Sequence, residues 1–266
     1  MNYELYAIKY AEHDRTAAMN FLRGDPHDGP MPMDYFVWLV RGGKRTVLID
    51  TGFTAAMAAR RGRRFLRCPS EGLRALGVAT DEVSDVIVTH LHYDHAGNFA
   101  LFPKATFHVQ DLEMRFATGR HMCEHAQREA YEAEDVVALV REVYKGRVRF
   151  HDGTDELATG IGLHLVGGHT MGLQVVTVAT ERGPVVVASD ASHYYANMQS
   201  ARPFPIVYDV DAMIAGWKRL RELAPSEDHI VPGHDPEVLR RYPSAAPTLE
   251  GIVARLDRAP AAARGR

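Results

Sequence analysis

Apolar and polar positions along the chain fall into short runs with two different periods. Residues 35–40 (YFVWLV) and 46–49 (TVLI) are apolar or β-branched runs on either side of Gly42-Gly43, which predicts a hairpin. An Ala/Arg-rich stretch follows Asp50-Thr51-Gly52, and Ser70-Glu71 then opens a short helix that closes at Gly77. Residues 85–89 (DVIVT) read as a buried strand that runs directly into HLHYDHAGN, and 106–109 as another. From 111 to 145 the period is helical, broken near Thr118-Gly119, with Val136, Leu139, Val140 and Val143 on one face. The second half repeats the plan. Runs at 173–179 and 185–188 flank ERGP, a second hairpin; 209–223 is amphipathic, with Met213, Ile214, Trp217, Leu220 and Leu223 on one stripe; 229–231 is a strand ending in PGHD. No Pro/Gly/Ser-rich or charged tract separates the halves. The expectation is an α/β (α+β) fold, a four-layer αββα sandwich of two mixed sheets with outer helices. It would run as one unit over 1–258, in halves of about 1–155 and 156–258, with 259–266 as a flexible tail.

Composition narrows this only a little. The chain has 266 residues, 46% hydrophobic and 24% charged, which excludes disorder and low complexity. A net charge of −3 offers no global basic field for nucleic acid or anionic lipid. Cys68 and Cys123 are too few for a disulfide framework and form no CxxC pair. The start shows neither a basic region nor an apolar core of a secretory signal, and no apolar run approaches a membrane span, so a soluble cytoplasmic protein is expected. One number stands out against this background: 14 histidines.

Their placement carries the chemistry. His90, His92, Asp94 and His95 form HxHxDH directly after an apolar strand, a pattern that chance gives in roughly one such composition in 400. Three further segments share one grammar, an apolar strand followed by a ligand-type residue in a turn: LHLVGGHT with His169, PVVVASD with Asp190, and HIVPGHD with His234. Gly168 and Gly233 beside two of these histidines allow close approach of the backbone. Five imidazoles and two carboxylates are what two divalent metal ions sharing a bridge need, with zinc the first expectation and iron, manganese or cobalt accepted by the same donors. Two ions ~3.5–4 Å apart can hold a hydroxide at neutral pH that attacks a carbonyl, so hydrolysis is the default chemistry.

At these residues the sequence resembles the metallo-β-lactamase superfamily, from about residue 35 to 236. The resemblance implies that His90, His92 and His169 hold one metal, that Asp94, His95 and His234 hold the other, and that Asp190 bridges them. It also implies that Asp50 supports the ligands from behind. GHTMG, SDASHYY and VPGHD resemble the N-acyl homoserine lactonase branch most, which implies a lactone-opening hydrolase with a small-molecule lactone or ester substrate. Asp94 would protonate the leaving alkoxide. In that branch a tyrosine three residues after the bridging aspartate contacts the substrate carbonyl oxygen. Here that position is His193, with Tyr194 and Tyr195 following, so the oxyanion donor is Tyr194 or His193, with Tyr194 preferred.

Competing hydrolytic readings are another ester, amide or thioester on the same metals, as in glyoxalase II; a mononuclear iron persulfide dioxygenase is the competitor from another class. A nuclease is disfavoured because the only basic stretch, Arg60-Arg61-Gly62-Arg63-Arg64 with Arg67, reads as a solvated segment. Residues 24–34 (GDPHDGPMPMD) and 113–131, with Met114, Phe116, Met122 and Tyr131, are expected either to roof an acyl pocket or to pack as loops or a homodimer contact. His108, His121, His125 and His164 fall outside the ligand grammar.

Overall fold

In the computed structural model, which describes residues 1–43 and 45–261, the strand alternation resolves into two sheets that share one core. The first sheet contains β1 (Glu4–His13), β2 (Met33–Gly42), β3 (Arg45–Ile49), β4 (Arg64–Phe65), β5 (Asp85–Ile87), β6 (Thr106–Gln110) and β7 (Val148–His151). The second contains β8 (Thr154–Ala158), β9 (Ile161–Leu165), β10 (Gln174–Thr180), β11 (Gly183–Ser189) and β12 (Ile230–Pro232). The last strand, β13 (Val253–Arg255), returns to the first sheet, where the order is β13-β1-β2-β3-β5-β6-β7 with β4 on β1. The order of the second is β12-β11-β10-β9-β8. Both sheets are mixed: β1, β2 and β3 are antiparallel, β3, β5, β6 and β7 run parallel, and β12 lies parallel to β11 in an otherwise antiparallel sheet.

The period of two along β2 explains the layering. Phe36, Trp38 and Val40 face the second sheet and meet Leu163, Val176 and Val187. Tyr35, Val37 and Leu39 face the other way, onto Ala58, Leu73 and Leu139 of the outer helices. The second sheet does the same with Val175, Val186 and Ile230, which pack under Met213, Trp217 and Leu220 of the Val210–Leu223 helix. Trp217 also donates its Nε1–H to Ala191 O at 2.7 Å, fixing that helix to the turn after β11. The architecture is therefore the αββα sandwich that the sequence predicts.

Several local expectations change. Ile214 is 43% exposed, since the helix buries the narrower stripe Met213, Gly216, Trp217 and Leu220. β1, beside the edge strand β13, is a strand that the sequence pattern does not predict; it follows no strict alternation because both of its faces are covered. β13 crosses back into the first sheet, so the chain halves and the sheets do not coincide. The beginning of the expected tail is tied down, with Ala261 N donating to Arg241 O at 2.7 Å; positions 262–266 lie outside the described residues. No helix among the described residues is long and apolar enough to cross a membrane.

Candidate metal centre

Parallel pairing places the C-terminal ends of β3, β5, β11 and β12 beside one another, and each ends in a turn bearing His or Asp. His90, His92, Asp94 and His95 follow β5, His169 lies between β9 and β10, Asp190 follows β11, and His234 follows β12. All seven are buried. The structure brings His90, His92, His169 and Asp190 into one group, and Asp94, His95 and His234 into another, with ligand atoms within 4.8 Å of one another in each. Asp190 stands between the groups: Oδ2 lies 3.1 Å from His169 Nε2 and 3.7 Å from His90 Nε2, while Oδ1 lies 2.9 Å from His234 Nε2 and 3.5 Å from His95 Nε2. Asp94 Oδ2 lies 3.6 Å from His95 Nε2 and 3.7 Å from His234 Nε2.

The outer hydrogen bonds of these rings fix which nitrogen faces inward. His95 Nδ1–H donates to Asp50 Oδ2 (2.8 Å), His169 Nδ1–H to Ile206 O (2.7 Å) and His234 Nδ1–H to Asp34 O (2.9 Å). His90 Nδ1 lies 3.1 Å from Thr89 Oγ1, whose own proton goes to Asp50 Oδ2 at 2.8 Å, so the imidazole is the donor there as well. Each of these Nε2 atoms is therefore an inward-facing lone pair. Those of His90 and His95 are buried and have no hydrogen-bond partner. His92 is turned the other way round, its Nδ1 2.9 Å from His169 Nε2. The unpartnered imidazole and carboxylate atoms, His90 Nε2, His95 Nε2 and Asp190 Oδ1, suit a cation at their centre.

Electrostatics point the same way. Burial and neighbouring imidazoles hold His90 and His92 well below the usual histidine range. Burial also opposes charge on His95, yet Asp190, Asp94 and Asp50 outweigh it and push His95 well above that range. Asp190 is held far down against its burial by His193, His234, His95 and His169. The centre favours an ionised Asp190 and neutral His90 and His92, while His95 and His234, both raised against their burial by the surrounding carboxylates, must give up a proton to bind a metal.

Local backbone geometry secures these positions. Asp50 (φ 62°) and Ser189 (φ 45°) adopt left-handed conformations at the ends of β3 and β11, aiming Asp50 under His95 and turning the chain into Asp190. A Cβ on Gly233 would stand 2.7 Å from Asp190 Oδ1, and one on Gly168 (φ 87°) would stand 2.6 Å from Met213 Cα, so neither histidine turn accepts a larger residue. Sequence reasoning missed Glu113, which is fully buried and ties two ligand loops together. Its Oε1 accepts from Leu91 N (2.8 Å), between His90 and His92, and from Tyr131 OH (2.8 Å). Its Oε2 accepts from Thr170 Oγ1 (2.6 Å), next to His169, and from Gly172 N (3.2 Å).

A cavity of about 270 Å³ opens onto the cluster. His193 lies on its wall, Nε2 3.0 Å from Asp190 Oδ2, its ring stacked on Phe204 at 3.7 Å. Tyr194 points elsewhere: its hydroxyl donates to Pro32 O (3.3 Å) and the side chain lies outside the cavity, so of the two expected candidates only His193 faces it. The capping arrangement at the start of the Tyr195–Gln199 helix, with Tyr194 N donating to Asn197 Oδ1 at 3.0 Å, is what turns Tyr194 away. Tyr195 is buried between the sheets. The cavity instead presents Tyr35 and Tyr93, whose hydroxyls lie 3.3 Å apart.

The expected roof is only partly there. Met33, Glu129 and Ala130 line the cavity, Tyr131 packs edge-on against His92 at 4.6 Å, but Met114, Phe116 and Met122 pack into the core beneath. The basic stretch is the larger surprise. Arg60 and Arg64 are solvated, whereas Arg61 and Arg63 turn onto the cavity wall. Among the other histidines, His108 joins Asp85 (3.1 Å) and His151 (3.0 Å) in a buried chain away from the cluster. His164 meets Thr177 Oγ1 at 3.0 Å, His121 stacks on Phe116, and His125 is exposed.

Residues 31–234 match the model of the metallo-beta-lactamase superfamily, and the chain belongs to that family. An N-acyl homoserine lactonase of a Bacillus species is 32% identical over 167 residues, 62% of this chain and 61% of that protein. The N-acyl homoserine lactonase AiiB of Agrobacterium fabrum is 29% identical over 223 residues, 75% of this chain and 79% of that one. The chain thus spans about three-fifths of the length of the Bacillus relative. A solved quorum-quenching N-acyl homoserine lactone lactonase superimposes with a TM-score of 0.73 at 24% identity, over 89% of this chain and 94% of the other. A probable metal-dependent hydrolase from Staphylococcus aureus superimposes with a TM-score of 0.75 at 14% identity, over 98% and 96%.

Proposed function

We propose that the chain is a dinuclear metal-dependent hydrolase that opens the ring of a lactone. The observation that carries this is the convergence of seven buried His and Asp side chains on one centre, with His90 Nε2, His95 Nε2 and Asp190 Oδ1 left without a hydrogen-bond partner. His90, His92 and His169 would hold one ion, Asp94, His95 and His234 the other, and Asp190 both. When bound, two divalent ions, zinc first among them, supply Lewis acidity and lower the pKa of water.

The chain's own residues do the rest. Asp50 and Glu113 hold the ligand loops in register, so that little rearrangement accompanies reaction. Asp94 lies on the cavity wall and is placed to pass a proton to the departing alkoxide oxygen. His193 stands at the position where the lactonase branch has tyrosine; its ring is stacked on Phe204, and its Nε2, now 3.0 Å from Asp190 Oδ2, would turn to the substrate's carbonyl oxygen once Asp190 is committed to the metals. Tyr35 and Tyr93 exclude water from the opposite wall.

The lactone reading is supported by lactonases among the relatives and by the intact HxHxDH motif. The test is metal content measured alongside proton release from a panel of lactones, thioesters and phosphodiesters. Two metals per chain with lactone turnover is expected; a metal-loaded protein inert to every lactone overturns the reading.

A further inference from the structure

Two of the arginines on the cavity wall have only neutral partners. Arg15, just after β1, donates to Asn20 Oδ1 at 2.6 Å and to Met19 O. Arg63, just before β4, donates from Nε to Tyr93 OH (3.1 Å) and from Nη1 to Arg61 O (2.7 Å), and lies 3.1 Å from His13 Nε2. Neither pairs with a carboxylate among the described residues. Arg61 makes the contrast on the same wall: it is paired with Glu132 Oε1 at 2.5 Å and lies over the Tyr93 ring at 4.0 Å.

The two bare guanidiniums act on each other and on their surroundings. His13, between them, is pushed down to about 4 by burial and then by the charges of Arg63 and Arg15. Burial and the nearby Arg63 also disfavour the charged form of Arg15, whereas Arg63 itself is held charged, Tyr35, Tyr93 and Asp94 outweighing its burial. Two half-buried guanidiniums with no carboxylate in contact leave room for an anion that arrives with a ligand. Of the cavity-lining acids, Asp94 and Asp190 belong to the metal-type cluster, and Glu129 forms an ion pair with neither arginine among the described residues. Tyr93 joins the two regions: its hydroxyl accepts from Arg63 and its chain neighbour is Asp94.

We propose that the substrate is a compact lactone or ester bearing a carboxylate, bound by Arg15 and Arg63 while its carbonyl meets the His/Asp cluster. This rests on the hydrolase reading above and narrows it. A guanidinium fork matches a carboxylate with two parallel hydrogen bonds, whereas an uncharged acyl lactone leaves both arginines unmatched. The cavity volume of about 270 Å³ suits a small molecule. In the reaction the carbonyl carbon gains the oxygen of water, the ring or ester C–O bond breaks, and the departing oxygen takes one of the water's protons. The other proton is released from the new carboxylic acid, so the product is a dicarboxylate.

The test uses metal-loaded protein and size-matched pairs that differ in charge: γ-butyrolactone-γ-carboxylate against its primary amide, and mono-4-nitrophenyl succinate against 4-nitrophenyl succinamate. The wild type should prefer the carboxylate member by about tenfold or more in kcat/KM, less so at high salt. In R15Q/R63Q the ratio should fall to within about threefold of unity, and R15K/R63K should recover only part of it, since lysine keeps the charge but not the fork. Metal content and thermal melting confirm that the variants are folded; R15Q alone serves if the pair is not. Equal rates within each pair for the wild type, or a preference that survives R15Q/R63Q, overturns the proposal. Inert lactones with a charge preference on the esters would sink the lactonase reading and keep this one. Lactone turnover without charge preference would do the reverse. Should nothing turn over, succinate binding by calorimetry decides: weaker binding to R15Q/R63Q is expected, and equal binding refutes the proposal.

Discussion

Asp50 Oδ2 accepts the Nδ1–H of His95 at 2.8 Å while its other oxygen takes the Thr89 backbone amide at 2.7 Å, so one carboxylate anchors both ends of the HxHxDH turn. Asp50→Asn keeps the size but weakens the acceptor and removes the charge that raises His95's basicity. Metal affinity and kcat/KM should each fall by about 10–100-fold. Titration with a competing chelator and steady-state kinetics measure the two. Unchanged affinity would show that the Asp50–His95 bond is structural only.

Asp190 is the carboxylate that both histidine groups approach. Asp190→Asn should lower kcat/KM by at least about a hundredfold. The bound metal should drop below two ions per chain by elemental analysis, while the far-ultraviolet circular dichroism stays that of the wild type. Retained turnover with two metals would exclude the bridge.

His193 and Tyr194 make opposite forecasts. Tyr194→Phe removes a hydrogen bond to Pro32 O outside the cavity and should cost about 1 kcal/mol of stability with little change in kcat. His193→Phe should reduce kcat by about tenfold or more, because it removes a polar group from the cavity wall. A larger kinetic effect from the tyrosine variant would restore the sequence expectation.

These contrasts show where the sequence was informative. Ligand-type residues sit at strand ends, and strand ends announce themselves by an apolar run that stops, which is why the sequence groups His90, His169, Asp190 and His234. The layering of the sandwich followed from β2 and β10 in the same way. His193 against Tyr194 could not be settled, since the choice depends on how the Asn197 cap rotates one peptide. Arg15 and Arg63 were hidden for a related reason: they lie in connections flanking β1 and β4, and local sequence says nothing about which cavity a loop arginine enters. Glu113 has one usable signal, an acid in the first turn of a helix directly after a strand, but that position is more often a simple favourable interaction with the helix dipole.

Glu113 receives four hydrogen bonds and has no cation beside it, so Glu113→Gln should be costly. The amide turns one acceptor into a donor that must face Leu91 N and Tyr131 OH or Thr170 and Gly172 N. A loss of about 2–4 kcal/mol is expected by urea unfolding, together with weaker metal binding at His92 and His169. An unchanged unfolding midpoint would mean that the site is more plastic than its burial implies.

The last prediction concerns pH and lies away from the cluster. Asp135, near the start of the Ala133–Tyr144 helix, is pushed up to about 7, first by burial and then by Glu132 and Glu134, with Arg60 and Arg61 opposing. Its Oδ2 is buried without a hydrogen-bond partner. An acid whose folded value is raised binds a proton more readily in the folded state, so folding is favoured at low pH. That advantage fades as pH rises from the ordinary carboxylate value of 3.8 through about 7, above which a strained charge remains. Asp135→Asn removes the charge, so the variant should be more stable than the wild type at pH 8, by about 1 kcal/mol once solvent screening of this partly exposed group is allowed for. The gap should shrink as pH falls through about 7 and close only near pH 4, where the carboxyl is protonated in both the folded and the unfolded chain. Equal wild-type and variant stabilities at pH 8, or a gap that widens on acidification, would show that Asp135 is ionised at low cost.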